Sequence, residues 1–247
     1  MRQLWLESDL HKPVLHPSAD QWRRLRRVLR LRDGDSLTVA DGRGARRLYV
    51  LNEDGLHAAA PRTEAPGPTR QVHIGVGVLK GERQSWLLQK LVEVGADSIA
   101  PLALKHCVVK LEATRADKRI DRWQAVAVEA FEQCGRARLP EVTNVQRLSE
   151  WLGSLPEGCA LAWCDERGGA RAIATWAAGT DATDVALVVG PEGGLSDEER
   201  ALLVHHGATP VHLGDAVLRA ETAAIVAAWA AHIAPPHHEI AMDPTLQ

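Results

Sequence analysis

Apolar segments of strand length alternate with helical segments from Val72 to Ala234, and this alternation constrains the fold more than any other feature. The strand-like segments are residues 72–79, 98–104, 159–164, 185–189 and 210–213, and the helical segments are 82–94, 118–134 and 221–234. Buried strands separated by helices favour an open parallel α/β sheet. Ligands of such sheets bind beyond the carboxyl ends of the strands, so candidate site residues are expected in the loops that follow them.

The first 70 residues have a different pattern, in which short alternating segments lie between turn clusters and predict a small β-barrel or sheet. The strand-like segments are 36–40, 47–51 and 56–60, and the turn clusters are 41–44 and 52–55. Residues 61–70 contain three prolines and a glycine, which is typical of an interdomain linker. We therefore expect one domain over 1–70, a second over 71–235 and a disordered tail over 236–247.

The formal net charge of the chain is −3, but its charges are unevenly distributed. Residues 1–70 contain 13 Lys and Arg against 9 Asp and Glu, whereas the remaining residues contain 16 against 23. A basic head on an acidic body indicates an anionic partner that touches only one part of the molecule.

Much of the positive charge belongs to a predicted helix between Ser18 and Arg32, which has Ser18 or Asp20 as its N-cap. Its apolar positions recur at helical spacing and are Trp22, Leu25, Val28 and Leu29. Its other face consists of Arg23, Arg24, Arg26, Arg27 and Arg30. No acidic residue is interleaved to neutralise these arginines, which favours a footprint for RNA phosphates; a solvated helix face is the ordinary alternative.

Several classes of protein are excluded or disfavoured. Four cysteines form no C-x-x-C pair and have no zinc-finger spacing with histidines, so we predict reduced thiols and no metal site; they are Cys107, Cys134, Cys159 and Cys164. No apolar run approaches the roughly 20 residues that cross a bilayer, and the first residues lack the apolar region of a signal peptide. We expect a cytoplasmic protein.

The most informative segment is DVALVVGPEGGLSDEER, residues 184–200. A buried strand ends at Gly190, and Gly193-Gly194 allows the backbone to approach a ligand closely. Ser196 and Glu199 form a capping box, and three carboxylates in the first helical turn would repel a phosphate. The loop therefore suits a ligand with little negative charge, while a plain tight connection is an equally good interpretation from the residues alone.

Two further clusters follow the same pattern of element end, glycine and charged residues. HLGDAVLRAETAA, residues 212–224, places Arg219 and Glu221 at the carboxyl edge of the sheet; alone, such a pair is most often a capping and dipole arrangement. FEQCGRARLP, residues 131–140, exposes Arg136 and Arg138 after Gly135, although last-turn cations at a helix C-cap are common.

The order EQCGR at 132–136, GPEGGLSDEE at 190–199 and LGDAVLRAETA at 213–223, preceded by KGERQSWLLQKLVEVGADSIAPL at 80–102, resembles the ribosomal RNA small subunit methyltransferase E family. The resemblance covers nearly the whole chain. Members are knotted SPOUT methyltransferases that methylate N3 of one uridine in 16S rRNA, with an amino-terminal PUA-like RNA-binding β-barrel. The resemblance therefore implies a parallel α/β domain with a carboxy-terminal trefoil knot.

The same resemblance implies S-adenosylmethionine as cofactor, a sulfonium without phosphate, held by three loops. The implied cofactor-binding residues are Trp163, Glu166, Val189, Gly190, Pro191, Glu192, Gly193, Gly194, Leu195, Leu213, Gly214, Val217, Leu218, Arg219 and Thr222. We expect Arg219 to stabilise charge on the uracil oxygens and Glu221 to act as the base or to orient it. The implied partners are 16S rRNA within the assembled 30S subunit and a second copy of the chain, and RNA contacts are assigned to the five helix arginines with Arg136 and Arg138.

The chain departs from the family pattern at Lys105-His106-Cys107, where Glu-Arg-Ser or Glu-Arg-Cys is frequent, and at Gly214-Asp215-Ala216, where Gly-Pro-Arg is frequent. Two other functions stay open: a non-enzymatic RNA-binding or ribosome-assembly protein, and the same fold acting on another rRNA or tRNA nucleotide. A dinucleotide-dependent enzyme is disfavoured because Gly75-Val-Gly77 lacks the third glycine of the fingerprint.

Overall fold

A computed structural model describes residues 2–108, 113–167 and 171–234, with backbone alone for 113–118. The chain forms two compact units. The first comprises the chain up to Gly67 together with Val128–Leu139, and the second comprises Pro68–Ala127 and the chain from Pro140 onwards. The segment 128–139 lies within the range 71–235 that the sequence assigns to the second domain. The predicted tail, 236–247, lies outside the described residues.

The first unit is built on a mixed sheet of six short strands. They are β1 Gln3–Trp5, β2 Val14–Leu15, β3 Ser36–Ala40, β4 Ala45–Leu51, β5 Leu56–Ala58 and β6 Thr63–Glu64. The order is β1-β3-β4-β5-β2, with β6 paired to β4; β1 and β3 are parallel and the other pairs are antiparallel. The alternating pattern buries Leu37, Val39 and Tyr49 in one core, and the Tyr49 hydroxyl donates to the carbonyl of Lys12 at 3.2 Å.

The arginine-rich helix is shorter than predicted. Helix α1 covers Ala19–Arg23 and continues as a π-helical turn over Arg24–Val28. The backbone then takes a left-handed conformation at Arg30, with φ of 53°, which stops the helix. Because a π turn carries more residues than an α turn, it rotates later side chains away from the 3.6-residue face. Val28 is consequently 70% exposed, and its predicted position on the apolar face is wrong.

The second unit contains a seven-stranded sheet in which every pair is parallel, which confirms the predicted α/β class. Its strands are β7 Gln71–Gly77, β8 Ser98–Leu102, β9 Glu141–Val142, β10 Ala160–Cys164, β11 Arg171–Ala172, β12 Asp184–Val189 and β13 Thr209–His212, in the order β11-β13-β10-β12-β7-β8-β9. The central strands are almost continuously buried, as parallel sheets covered by helices require.

The remaining helices are α2 Glu82–Glu93, α3 Ala113–Cys134, α4 Leu148–Ser154, α5 Ile173–Ala178, α6 Asp197–His205 and α7 Ala220–Ile233. The sequence patterns do not predict α4 and α5, and α3 runs from the second unit into the first. The small side chains of α7 let it pack closely on β7 and α2, where Ala224, Ala227 and Ala228 are buried. None of the helices in the described ranges is long and apolar enough to cross a membrane.

Candidate active site

A cleft of about 770 Å³ lies at the carboxyl ends of three neighbouring strands of the second unit, β13, β10 and β12. The segments that line it are 164–166, 189–194, 211–220 and Ala223. This is the sheet edge at which the sequence predicts ligand loops. The cleft brings together residues of the segments 184–200 and 212–224, and residues 131–140 do not line it.

The loop after β12 approaches its neighbours more closely than side chains would allow. A Cβ on Gly77 would lie 2.8 Å from the nitrogen of Pro191, and a Cβ on Gly194, whose φ is 69°, would lie 2.9 Å from Oε1 of Glu166. Helix α6 then begins at the predicted capping box, where the Ser196 hydroxyl accepts from the Glu199 amide and the Glu199 carboxylate accepts from the Ser196 amide. The capping box fixes the exit of the loop.

Arg200 connects two walls of the cleft from behind. Its guanidinium is buried and donates to the carboxylates of Asp165 and Glu166. Nη2 lies 2.8 Å from Oε1 of Glu166, and Nε donates to the Leu195 carbonyl at 3.3 Å. A buried arginine with two carboxylate partners holds both acids in fixed orientations. Asp165 and Glu166 therefore line the cleft as positioned groups.

A second ion-pair network joins α2 to the loop after β12 and to the first turn of α7. Arg83 donates through Nε and Nη2 to the two carboxylate oxygens of Glu221, with Nε at 3.2 Å from Oε1, and through Nη1 to Glu192. Burial disfavours the charged form of Glu221, but hydrogen bonds from Arg83 and its own amide, with the charges of Arg83 and Arg219, lower its pKa below the ordinary value. Glu221 is therefore an ionised, firmly held carboxylate.

Arg219 has a different environment although it lies two residues before Glu221. It is exposed, lines the cleft and occupies the N-cap position of α7 without a side-chain capping bond. In the described part of the chain it forms no ion pair, so its guanidinium is available to a ligand. Val217, on the same loop, is also exposed and lines the cleft.

Most of the proposed cofactor-binding residues line the cleft, and three do not. Those in the lining are Glu166, Val189, Gly190, Pro191, Glu192, Gly193, Gly194, Leu213, Gly214, Val217, Leu218 and Arg219. Trp163 and Leu195 are instead buried in the core, and Thr222 lies half-buried on α7 outside the lining. Side chains on consecutive residues of a strand point to opposite faces, so Cys164 lines the cleft while Trp163 packs beneath it.

The unusual Lys105-His106-Cys107 segment packs against the glycine loop. His106 Nδ1 lies 3.1 Å from the Gly194 carbonyl oxygen, and a Cβ on Gly193 would lie 2.8 Å from the His106 Cβ. The amide of Lys105 donates to Glu199 and its ammonium pairs with Glu198 at 3.1 Å. Hydrogen bonds from the backbone and from Lys105 lower the pKa of Glu198 to about 2. This segment therefore supports the loop from outside the cleft.

The expectation that nothing nearby neutralises the five helix arginines is wrong for Arg23 and Arg26, which pair with Asp20, at 3.0 Å, and with Asp33. Arg24 pairs with Glu132 from the distant segment 128–139, which the local pattern does not reveal. Arg27 and Arg30 are exposed and form no ion pair within the described residues.

The arginines after α3 are more constrained than their loop position predicts. Arg138 donates to the Arg43 carbonyl. A Cβ on Gly44 would lie only 2.9 Å from Nη2 of Arg138, so the arginine side chain packs closely on this glycine. Arg136 is half-buried and its carbonyl accepts from Gln3 at 2.9 Å.

Arg83 and Arg200 are not predicted from the sequence as parts of the site, because their partners lie far away in the chain and no spacing reveals them. Asp165 lies within the loop at 163–166 that the family resemblance implies, although it is not among the residues assigned to the cofactor. The lining contains four carboxylates, from Asp165, Glu166, Glu192 and Asp215, against the single guanidinium of Arg219. Burial raises the pKa of the Cys164 thiol to about 12, so this cysteine is neutral. Among the described residues, no three His, Cys, Asp or Glu side chains are arranged to hold a metal ion.

Comparisons with known proteins agree on one family. Residues 65–232 match a family model described as an RNA methyltransferase domain. The ribosomal RNA small subunit methyltransferase E of Mycobacterium bovis is 35% identical over 211 residues, covering 81% of this chain and 79% of that protein. The protein of the same name from Bacillus subtilis is 28% identical over 228 residues, covering 87% and 88%.

Solved structures show the same relationship over almost the full length. The ribosomal RNA small subunit methyltransferase E of Neisseria gonorrhoeae, bound to S-adenosyl methionine, has a TM-score of 0.81 at 25% identity and covers 92% of this chain and 95% of its own. A putative methyltransferase from Legionella pneumophila, in complex with the bound cofactor SAM, has a TM-score of 0.80 at 29% identity, covering 92% and 94%. The chain belongs to the ribosomal RNA small subunit methyltransferase E family.

Proposed function

We propose that this protein is a cytoplasmic, S-adenosylmethionine-dependent methyltransferase that methylates N3 of one uridine in 16S rRNA of the small ribosomal subunit. The observation that carries the proposal is the cleft at the ends of β10, β12 and β13, which is formed by glycine-rich loops and ionised groups with fixed positions. Its substrate specificity for uridine N3 follows from the family resemblance.

The groups in the cleft fit this cofactor. With Arg83 and Arg200 counted beside Arg219, three guanidiniums still face five carboxylates around the cleft, from Asp165, Glu166, Glu192, Asp215 and Glu221, and this excess of negative charge disfavours a phosphate-bearing ligand and suits a sulfonium with an amino group. Val189, Leu213 and Leu218 supply apolar surface for an adenine ring, while the backbone around Gly190 and Gly194 supplies hydrogen-bonding groups at close range. When bound, S-adenosylmethionine supplies an activated methyl group on sulfur.

The protein must orient uracil and remove its N3 proton. We propose that Arg219, which has no ion-pair partner, donates hydrogen bonds to a uracil oxygen and stabilises the negative charge that develops there. Glu221 is ionised but is buried and does not line the cleft, so of the two roles expected from the sequence it is assigned the one of orienting the group that receives the proton. Its bidentate pair with Arg83 makes it a weak base, which favours the orienting role.

We propose that the first unit is a PUA-like β-barrel that binds rRNA. Its basic character and the unpaired charges of Arg27 and Arg30 support contacts to the phosphate backbone, which fix register without reading sequence. The target uridine must leave its stack to enter the cleft, so recognition by RNA shape within the assembled 30S subunit is the expected mode.

We further propose that the second unit contains a trefoil knot and forms a homodimer. The support for the knot is that β12 and β13 flank β10 and that all three contribute loops to the cleft. The support for the dimer is an apolar stripe on α7, where Val226, Trp229 and Ile233 are exposed at spacings of three and four residues.

Two measurements test the proposed function. Calorimetric titration of the purified protein with S-adenosylmethionine should show one specific site. Mass spectrometry of 16S rRNA from a strain that lacks the gene should show one uridine without its N3 methyl group, and adding the protein to 30S subunits from that strain should restore it. Absence of specific heat would favour a non-enzymatic RNA-binding protein, and loss of a methyl group elsewhere would identify another target nucleotide.

A further inference from the structure

A second cleft, of about 370 Å³, lies entirely within the first unit. It is formed where β1, β3 and β4 meet the segment before β6 and the residue after α3, and it includes Gln3, Thr38, Arg46, Thr63 and Gly135. Two of its lining residues are arginines and none is acidic. The lining of this cleft therefore carries positive charge without a carboxylate beside it.

The two arginines of this cleft, Arg46 and Arg47, differ in their hydrogen-bond partners. Arg47 is bonded to the backbone, with Nε donating to the Ala60 carbonyl at 2.8 Å and Nη1 to the Leu10 carbonyl at 3.0 Å. It also lies over the ring of Tyr49, with 5.7 Å between the guanidinium carbon and the ring centroid. Arg47 therefore holds the amino-terminal loop against the sheet and has a structural role.

Arg46 lacks comparable partners. Its side chain makes one hydrogen bond, from Nη2 to the Gly135 carbonyl at 2.7 Å, and its Nε is buried without a partner among the described residues. A buried donor on a charged group costs free energy when it stays unpaired, and guanidinium groups form their strongest bonds with anionic oxygens. Among the described residues no carboxylate pairs with the Arg46 guanidinium, which leaves this cationic group in the cleft open to an anionic ligand.

We infer that this cleft binds one unstacked nucleotide of the substrate RNA, with its phosphate on Arg46 and its base against Leu48 and Pro61. Both of these apolar residues line the cleft, and its volume suits one nucleotide and excludes a duplex. The inference rests on the proposed function for the identity of the polymer, and it defines a site separate from the methyl-transfer cleft and from the arginines of α1.

The test compares Arg46→Gln with Arg43→Gln in the full-length protein. Arg43 is exposed, pairs with Glu7 at 3.3 Å and does not line the cleft, so the control removes the same charge from the same unit. With a 16S rRNA transcript as probe, Arg46→Gln should bind about tenfold more weakly and lower the salt slope by about 1. Arg43→Gln should bind within about twofold of the wild type. Equal RNA affinities for the two variants would overturn the inference.

A measurement on the wild-type protein covers the case in which Arg46→Gln does not fold. The Nε–H resonance of Arg46 should shift when a single-stranded hexamer of uridines is added, and much less with inorganic phosphate at the same concentration. An unchanged resonance, or an equal shift with phosphate, would exclude a nucleotide site. Titration with S-adenosylmethionine should give the same affinity for wild type and both variants, so a failure of this inference is distinguishable from a failure of the proposed function.

Discussion

Arg200 shows how one residue can determine the shape of a site that it does not line. Its guanidinium is buried behind the cleft and satisfies Asp165, Glu166 and the Leu195 carbonyl. Breaking a buried ion pair by removing one partner leaves the other charge uncompensated, which is far costlier than losing an exposed pair. We therefore expect the loss of Arg200 to affect both stability and cofactor binding.

We predict that Arg200→Met lowers the free energy of unfolding by about 3 kcal/mol or more and weakens S-adenosylmethionine binding. The matched control is Arg167→Met, because Arg167 pairs with Asp197 at 2.8 Å on the surface. Loss of this exposed pair should lower the free energy of unfolding far less, because solvent already screens the two charges. Urea denaturation and calorimetric titration measure the two effects, and equal losses of stability in both variants would contradict the structural assignment.

The pair between Arg83 and Glu221 makes stability depend on pH. Since the pKa of Glu221 is lowered from 4.5, its contribution is fully present above about pH 4.5 and is lost as the pH falls through the folded-state value. We predict that the melting temperature of Glu221→Gln is below that of the wild type at neutral pH and that the difference shrinks in acid. Thermal scans from about pH 7 to pH 3 measure it, with Glu157→Gln, an exposed carboxyl, as control. A difference that grows in acid would contradict the lowered pKa.

At the scale of the element, the arginine-rich segment divides into residues that hold the fold and residues that face solvent. Arg24 compensates Glu132, whose pKa is raised by burial despite this partner, whereas Arg27 and Arg30 have no acidic partner in the described structure. Charge on one helix face therefore overstates the surface that is available to RNA.

We predict that the double variant Arg27→Gln with Arg30→Asn lowers the salt slope of RNA binding by about 2 without changing the melting temperature. Asparagine is chosen at position 30 because it tolerates the left-handed backbone found there. Arg24→Gln should instead lower the melting temperature, because it leaves the buried carboxylate of Glu132 unpaired. An unchanged salt slope in the double variant would exclude these arginines from the RNA footprint.

Elements with strong periodicity or clear capping could be predicted from the sequence, including the central strands, α6 and α7. The carboxyl-edge location of the cleft also followed from the strand pattern. The short strands β1, β2, β6, β9 and β11 could not be predicted, because two or three residues carry no period and pair only through tertiary context. The same reason applies to Arg83 and Arg200, whose partners lie 138 and 35 residues away.

At the scale of the whole molecule, the described surface of the second unit has one apolar stripe for which the proposed dimer provides a partner. Trp229 is 50% exposed on α7, and Trp86 is exposed on α2, which packs against α7. Exposed aromatic residues on neighbouring helices are typical of interfaces between subunits.

We predict that Trp229→Glu converts the protein to a monomer, because a charge placed in an apolar interface has no partner there. Val204→Glu is the matched control, since Val204 is 62% exposed on α6, against 50% for Trp229, and lies outside the stripe. Size-exclusion chromatography with light scattering measures the mass. A dimer in the Trp229→Glu variant, or a monomeric wild type, would rule out α7 as the contact.

The first unit is assembled from two separate stretches of chain, and the second stretch is encoded in the middle of the other unit. The side-chain amide of Gln3 donates to the carbonyls of Phe131 and Arg136, and the backbone N–H of Trp5 donates to the carboxylate of Glu132. A gene fragment that stops at the proline-rich linker would therefore encode this unit without the segment 128–139. A domain swap at the linker would likewise separate the two stretches of chain that form the unit.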